Sequence, residues 1–245
     1  MSFIVGLDLG QSQDYTAIAV VERVLPPLRK PLIPYQPVTY YGAGETYNLS
    51  GAPRTGVVAV SLPPVDTRPA SYHVRHLERP PLGTKYPTIV VRVKILLASA
   101  PLTLRTPLVI DRTGVGRPVT DLFEGQGLRP YAITITGGDE VIKDGAHHTK
   151  VPKRELISTL VAVFQTERLK IAAGLTEGPA LVNELTNFKV KVNLATGHDS
   201  YEAWRESVHD DLVLAVAMAV WHGEHLPRPF EAVGGGARPV TTIRQ

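Results

Sequence analysis

The sequence of 245 residues contains no cysteine, which excludes disulfides, thiolate metal sites and cysteine nucleophiles. Any bound metal must therefore use carboxylates, histidines, carbonyl groups or water. The sequence also lacks an apolar run long enough to cross a membrane, and it has no basic segment before a hydrophobic core at its N-terminus. These absences predict a cytoplasmic protein without a membrane partner.

Neither sign of charge dominates. The 26 basic and 23 acidic residues give a formal net charge of +3, which permits a polyanionic partner without demanding one. Hydrophobic residues make up 43% of the chain and charged residues 20%, as in an ordinary globular protein with a proper core. The 21 prolines and 21 glycines place a good part of the chain in loops.

The predicted fold is organised around its first strand, residues 3–10, whose sequence is Phe-Ile-Val-Gly-Leu-Asp-Leu-Gly. Such a nearly continuous apolar run is typical of a strand buried on both faces of a sheet. Asp8 interrupts the run, and a buried carboxylate is costly unless a metal or hydrogen-bond donors compensate it. A turn aspartate is the simpler alternative, but the position of Asp8 inside the apolar stretch favours a ligand.

Two other places in the sequence carry carboxylates of the same kind. Asp111 ends a short apolar strand, residues 106–111, and a glycine turn and a helix follow, which is where open α/β sheets place ligands. Asp210 and Asp211 begin a helix that is apolar nearly all round and is therefore predicted to be buried. One aspartate would suffice to complement the helix dipole, so a pair of aspartates suggests an additional function.

These carboxylates converge if the first and fourth strands of the sheet are neighbours. Three or four carboxylates without cysteine form an all-oxygen site suited to Mg²⁺ or Mn²⁺. Such clusters hold two cations about 3.5–4 Å apart, which activate a water and stabilise the leaving oxygen of a phosphodiester. The sequence therefore predicts a two-metal site.

The rest of the chain is predicted from periodicity and turn signals. Further strands are expected at residues 16–24, 72–77, 131–136, 169–171 and 190–192, and helices at residues 86–99, 119–123, 156–164 and 179–189. The stretch from 26 to 81 is rich in proline, and its residues 37–41 and 56–62 could pair as an extra hairpin.

Residues 137–153 are predicted to form a polar, flexible loop. Its adjacent histidines, His147 and His148, have no partner at helical spacing and are read as solvated. The basic side chains in and just after the loop are candidate phosphate contacts. They are Lys143, Lys150, Lys153 and Arg154.

Three segments together resemble the nuclease domain of phage terminase large subunits. They are Gly-Leu-Asp-Leu-Gly-Gln at 6–11, Val-Ile-Asp-Arg-Thr-Gly-Val-Gly at 109–116 and His-Asp-Asp-Leu-Val-Leu-Ala at 209–215. Asn-Glu-Leu at 183–185 and Tyr-Glu-Ala-Trp-Arg at 201–205 add to the likeness. The resemblance implies a ribonuclease-H-like α/β fold, shared with Holliday-junction resolvases. That fold is a mixed central sheet flanked by helices, here with a Pro-rich insertion after the second strand.

The same resemblance implies the roles of the carboxylates. Asp8 and Asp111 would bind Mg²⁺ or Mn²⁺ from adjacent strands, and Asp211 with Asp210 would supply the third corner of the catalytic site. The implied function is a metal-dependent endonuclease that cuts concatemeric viral DNA during genome packaging. Its partners would be double-stranded DNA, an ATPase motor domain, a small terminase subunit and a portal, in the cytoplasm of a host cell.

The implied domain organisation is a nuclease domain over residues 1–225, including the insertion at 26–81, and a disordered tail over 226–245. No G-x-x-x-x-G-K-[ST] motif occurs, so we expect an excised domain or a stand-alone relative. Two alternatives remain open. An actin-like or sugar-kinase ATPase also begins with G-x-D-x-G but gives Asp210 and Asp211 no task. A non-catalytic ribonuclease-H-like module that binds DNA or protein would not need every carboxylate.

Overall fold

The structure is a computed structural model and describes residues 2–10, 14–27, 38–39, 58–59, 68–194 and 210–226. The strands in these ranges are β1 (Ser2–Asp8), β2 (Ala17–Val24), β3 (Val38–Thr39), β4 (Val58–Ala59), β5 (Ser71–Glu78), β6 (Leu108–Asp111), β7 (Tyr131–Thr136), β8 (Ile142–Lys143), β9 (His148–Pro152) and β10 (Leu169–Ile171). The helices are α1 (Tyr86–Leu97), α2 (Gly116–Gly125), α3 (Lys153–Gln165), α4 (Gly178–Leu194) and α5 (Asp211–His225).

Eight of these strands form one mixed sheet in the order β10-β5-β2-β1-β6-β7-β9-β8. Strand β2 runs antiparallel to both β1 and β5, whereas β6 runs parallel to β1 and β7 runs parallel to β6. Three antiparallel strands followed by two strands parallel to the first are the arrangement of the ribonuclease-H-like fold. The predicted fold class, a mixed central sheet flanked by helices, is therefore confirmed.

The sheet is covered by helices on both faces. Helices α1 and α2 pack on one face over a core that includes Leu7 and Ile110, and α3, α4 and α5 cover the other face over Ile4 and Val109. Because α5 lies between the sheet and α3, nearly every residue of α5 is buried, which explains its lack of a polar side. In the part of the chain that the structure describes, no helix could span a membrane.

Gly6 brings α5 unusually close to the first strand. A Cβ atom placed on Gly6 would lie 1.9 Å from the carbonyl oxygen of Ala215, so only glycine allows this approach. Side chains alternate along a strand, so the side of β1 that carries Gly6 also carries Asp8. The α5 face is therefore the face on which a site at the end of β1 must lie.

Two local predictions were wrong. Residues 137–153 are not a loop throughout, because β9 pairs parallel with β7 and β8 pairs antiparallel with β9. Thr149 and Val151 are buried while His148 and Lys150 are partly exposed, an alternation that the surrounding charged residues concealed. Residues 190–192 belong to α4, because extending an existing helix adds a hydrogen bond for each residue fixed.

The Pro-rich stretch lies largely outside the described residues. Within it, β3 and β4 pair antiparallel as a separate two-stranded sheet. Residues 227–245, where a disordered tail was predicted, also fall outside the described ranges. The domain boundaries given above stay predictions.

Candidate active site

The two strand carboxylates are brought together by the pairing of β1 with β6. The register aligns Leu7 with Ile110, so Asp8 and Asp111 are the next residues along two adjacent parallel strands. Neighbouring strands lie about 4.8 Å apart, and aligned residues project from the same face. The adjacency of the first and fourth core strands, on which the predicted convergence depended, is the arrangement that the structure has.

The third carboxylate comes from the first turn of α5. Asp211 is the first residue of this helix and Asp210 is its N-cap residue. Asp8, Asp111 and Asp211 are all at least 91% buried, with exposed fractions of 7%, 9% and 6%. Three acidic side chains from distant parts of the chain thus share one buried region at the end of the sheet.

The electrostatics of Asp8 show how close these groups are. Burial raises the pKa of Asp8 well above its usual range, and the negative charges of Asp111, Asp211 and Asp210 raise it further. The positive charge of Lys153 acts in the opposite direction on the pKa of Asp8. Asp8 therefore lies at the centre of a carboxylate cluster that repels itself.

Asp111 is held by the turn that follows its strand. Burial raises the pKa of Asp111, while hydrogen bonds from Thr113 and the charge of Lys153 oppose that shift. The Thr113 backbone N–H donates to Asp111 Oδ1 at 2.7 Å, and the Ile135 backbone N–H donates to Thr113 Oγ1 at 2.7 Å. These bonds fix the Asp111 carboxylate against both β6 and β7.

Lys153 belongs to the carboxylate cluster, a role that the sequence did not indicate. Its ammonium nitrogen lies 3.1 Å from Asp210 Oδ2, and both side chains are 28% exposed. Strand β9 leads directly into α3, and Lys153 is the first residue of that helix. The two partners are 57 residues apart in sequence, so no local pattern could have paired them.

The other predicted phosphate contacts lie near the β8–β9 edge. Lys143 is exposed on β8, Lys150 is partly exposed on β9, and the Arg154 guanidinium pairs with Asp139 at 2.7 Å. His148 contacts Thr134 and Asp144, and is not a member of the carboxylate cluster. Residues 11–13, His209 and the segment 201–205 lie outside the described residues.

Glu184 is a further buried carboxylate whose position the sequence did not explain. It lies on α4, where Oε2 accepts a hydrogen bond from the Val213 backbone N–H at 3.1 Å and Oε1 pairs with the Arg79 guanidinium. Burial raises the pKa of Glu184, the bonds from Val213 and Arg79 oppose the shift, and the charge of Asp211 adds to it. Glu184 is therefore close to the start of α5.

Carboxylate oxygens are the donors that Mg²⁺ and Mn²⁺ prefer, so the chemistry of this cluster fits a divalent cation. Within the ranges that the structure describes, no three acidic or histidine side chains are grouped closely enough to hold a metal ion. The fit therefore rests on the type and the burial of the donors.

The fold has relatives among solved structures. No family model matches the sequence, and no curated protein matches it. The large terminase nuclease from thermophilic phage G20c is 16% identical, with a TM-score of 0.46 over 89% of this chain and 80% of that chain. The human cytomegalovirus terminase nuclease domain, Mn soaked, is 13% identical, with a TM-score of 0.44 over 89% of this chain and 81% of that chain.

The chain is similar in fold to terminase nucleases. These structures belong to the class of nuclease that the three sequence segments resemble. A second structure of the phage G20c nuclease carries bound zinc; it is 18% identical, with a TM-score of 0.47 over 89% of this chain and 79% of that chain. Two of these neighbouring structures were therefore solved with zinc or manganese.

Proposed function

We propose that this protein is a divalent-metal-dependent endonuclease that hydrolyses phosphodiester bonds of double-stranded DNA. The observation that carries the proposal is the buried cluster of Asp8, Asp111 and Asp211 beside Asp210. Burying several like charges costs free energy that a purely structural site would avoid. Perturbed acidic groups at the carboxyl end of a sheet are a recognised sign of a functional site.

Asp8, Asp111 and Asp211 would hold Mg²⁺ or Mn²⁺, with Asp210 as a further ligand. Bound as a pair, such cations supply an activated water and stabilise the leaving oxygen of the cleaved bond. The chain itself would orient the carboxylates. The Thr113 backbone N–H donates a hydrogen bond that fixes Asp111. The close approach of α5 to Gly6 would hold Asp211 beside the end of β1. Carboxylates held in this way need little rearrangement when they bind a metal.

Lys153 compensates part of the negative charge. Its ammonium group pairs with Asp210 and lowers the pKa of both Asp8 and Asp111, which favours the ionised forms that bind metal. The DNA backbone would be contacted by Lys143, Lys150 and Arg154 at the β8–β9 edge. We assign Lys153 primarily to the carboxylate cluster, because its ammonium group already pairs with Asp210.

The biological reaction that we propose is the cutting of concatemeric viral DNA during genome packaging. An ATPase motor domain, a small terminase subunit and a portal would then be partners of the protein in a bacteriophage-infected cell. This part of the proposal rests on the terminase-like motifs of the sequence. The hypothesis of an actin-like ATPase is not favoured, because it gives Asp210 and Asp211 no function.

A plasmid-nicking assay tests the proposed function. Wild-type protein should convert supercoiled plasmid to open and linear forms with Mn²⁺ or Mg²⁺ and should stop when EDTA is added. Asp8→Asn and Asp211→Asn should each lose more than about 100-fold in rate, the upper end of the loss seen when an outer partner of a metal ligand is removed. Cleavage that continues undiminished in EDTA would contradict the proposal.

Asp121→Asn is the matched control. Asp121 is an exposed aspartate on α2 that pairs with Arg117 one turn away, so the same isosteric change is made far from the cluster. Its nicking rate should equal that of wild type. Circular dichroism melts of all three variants show whether each protein is folded when its rate is measured.

A further inference from the structure

The first turn of α5 is capped in an unusual way. The backbone N–H groups at the start of a helix have no partner within the helix, and the side chain of the N-cap residue commonly accepts a hydrogen bond from one of them. Here the N-cap residue is Asp210, but its side chain makes no capping hydrogen bond and instead pairs with Lys153. The cap is therefore supplied from elsewhere.

Glu184 supplies that cap from a different helix, 29 residues earlier in the chain. Its Oε2 atom accepts the hydrogen bond from the Val213 backbone N–H at 3.1 Å, one residue before the first bond within α5, from the Leu214 N–H to the Asp210 carbonyl. Its Oε1 atom is held by the Arg79 guanidinium, and the two side chains are only 7% and 16% exposed. Both oxygens of Glu184 are thus committed.

Arg79 connects this cap to the strand that carries Asp8. It directly follows β5, and its guanidinium carbon lies 5.4 Å from the centre of the Tyr15 ring, in the turn between β1 and β2. One largely buried cation therefore contacts the turn that follows Asp8 and, through Glu184, the turn that contains Asp211. The Arg79–Glu184 pair therefore links the turn after β1 to the start of α5.

A buried ion pair is a poor device for stability alone, because desolvating both charges offsets most of their attraction. A serine or asparagine at the N-cap would satisfy the same N–H locally. We infer that Glu184, held by Arg79, is a positioning residue that fixes the first turn of α5 and so sets where Asp211 stands relative to Asp8 and Asp111. This inference rests on the proposed metal-dependent function.

Glu184→Gln is the sharpest variant, because it changes neither size nor shape. A glutamine offers one acceptor oxygen and one donor NH₂ group, whereas the two partners of Glu184 are both donors and approach different oxygens. One of them must then face a donor group. The link between Arg79 and α5 is broken without creating a cavity.

Titration of the full chain with Mn²⁺ by isothermal calorimetry tests the inference without relying on turnover. Glu184→Gln should weaken Mn²⁺ binding by about 10- to 100-fold, as expected when the partner that orients a ligand is lost. The nicking assay should need a correspondingly higher Mn²⁺ concentration for half-maximal rate. Arg79→Lys keeps the charge but not the forked geometry, and it gives a second measurement in the same direction should Glu184→Gln not fold.

Glu224→Ala is the matched control. Glu224 lies in the last turn of the same helix and pairs with Arg168 at 2.9 Å and with the Tyr72 hydroxyl at 2.8 Å. This variant should lower the melting temperature yet leave the Mn²⁺ affinity within about twofold of wild type, because the disturbed turn is remote from the cluster.

The outcomes distinguish a positioning role of Glu184 from that of an ordinary helix cap. Weaker Mn²⁺ binding in Glu184→Gln but not in Glu224→Ala supports the inference. An unchanged Mn²⁺ affinity in a destabilised Glu184→Gln, or an equal loss in both variants, overturns it and leaves Glu184 as an ordinary helix cap. Wild-type protein that binds no Mn²⁺ at all overturns the proposed function, and the inference with it.

Discussion

At the scale of single residues, the ionised form of Asp8 is disfavoured both by burial and by neighbouring negative charges. It is buried at the end of an apolar strand, and three other acidic residues repel it. Without a cation, folding therefore shifts Asp8 towards its protonated form. The stability of the metal-free protein must then depend on pH through this side chain.

Asp8→Asn should change that dependence in a defined direction. The folded-state pKa of Asp8 is raised above 3.8, so its contribution to stability is fully present below that pH and is lost as the pH rises through the raised pKa. In EDTA, the melting temperature of wild type should therefore fall relative to that of Asp8→Asn as the pH rises from about 4 to about 8. At neutral pH the variant should be at least as stable as wild type.

Thermal melts in EDTA across this pH range provide the measurement, with Asp121→Asn as the control that should follow wild type throughout. If wild type melts above Asp8→Asn at every pH, Asp8 is a satisfied structural group. Losing such a group typically costs about 1–3 kcal/mol. The metal-ligand assignment would then be wrong.

The residues of the site differ in how well the sequence predicted them. Asp8 and Asp111 could be found because a carboxylate inside or at the end of an apolar strand is conspicuous. The roles of Lys153 and Glu184 in the site could not be predicted, because their partners are 57 and 29 residues away and the contacts exist only once α3, α4 and α5 pack together. A charged residue at a helix start, or on an amphipathic helix, looks the same in sequence whether or not it serves a site.

At the scale of elements, the contact of β1 with α5 determines the geometry of the cluster. Gly6→Ala would push a Cβ atom to 1.9 Å from a helix backbone oxygen, which cannot be relieved by a side-chain rotation. We expect a loss of about 1–3 kcal/mol or more in the free energy of unfolding. Since α5 must move, the nicking rate should fall further than the remaining folded fraction explains.

Urea unfolding and the nicking assay, run on the same samples, check this prediction. Gly125→Ala is the control, because Gly125 ends α2 and an added Cβ would meet nothing within 4 Å. This substitution should be neutral or stabilise by about 0.5–1 kcal/mol. A Gly6→Ala protein with wild-type stability would show that α5 does not approach β1 as closely as described.

The β8–β9 edge is the element to which we assign DNA contact. Lys143→Ala with Lys150→Ala should weaken binding to all DNA sequences alike and reduce the slope of log affinity against log salt by about 1 for each lost phosphate contact. Lys170→Ala is a matched control, because Lys170 lies on β10 at the opposite edge of the eight-stranded sheet. An unchanged salt slope in the double variant, measured by fluorescence anisotropy, would place the DNA elsewhere.

Elements with a strong hydrophobic pattern could be predicted from sequence, and short ones among charged residues could not. Strands β1, β2, β5, β6 and β7 were anticipated within a few residues, because their apolar runs have no helical spacing. The pairing of β8 and β9 depends on the existing edge of β7, which is a tertiary feature. The ribonuclease-H-like fold class was implied by the resemblance of the motifs and not by periodicity.

At the scale of the whole molecule, metal binding should appear as stability. A ligand that binds only the folded state adds about 2.7 kcal/mol when it is present at 100 times its dissociation constant. For a chain of this length, each kcal/mol raises the melting temperature by roughly 2–4 °C. Wild type should therefore melt several degrees higher with saturating Mn²⁺ than in EDTA.

Differential scanning fluorimetry over a series of Mn²⁺ concentrations tests this expectation. Asp121→Asn should show the same rise as wild type, and Asp8→Asn and Asp211→Asn should show little or none. A rise that is equal in all four proteins would indicate binding at the general surface. The carboxylate cluster would then not be the metal site.

The distance in sequence between β1 and α5 also has a consequence in time. Asp8 leaves the ribosome about 200 residues before Asp211, and such long-range contacts form slowly. A partly synthesised chain therefore contains Asp8 and Asp111 but still lacks Asp211. We expect cutting activity to be withheld from the nascent protein and to arise only when its final helix has docked, so that refolding experiments should recover Mn²⁺ binding no earlier than the burial of Trp221.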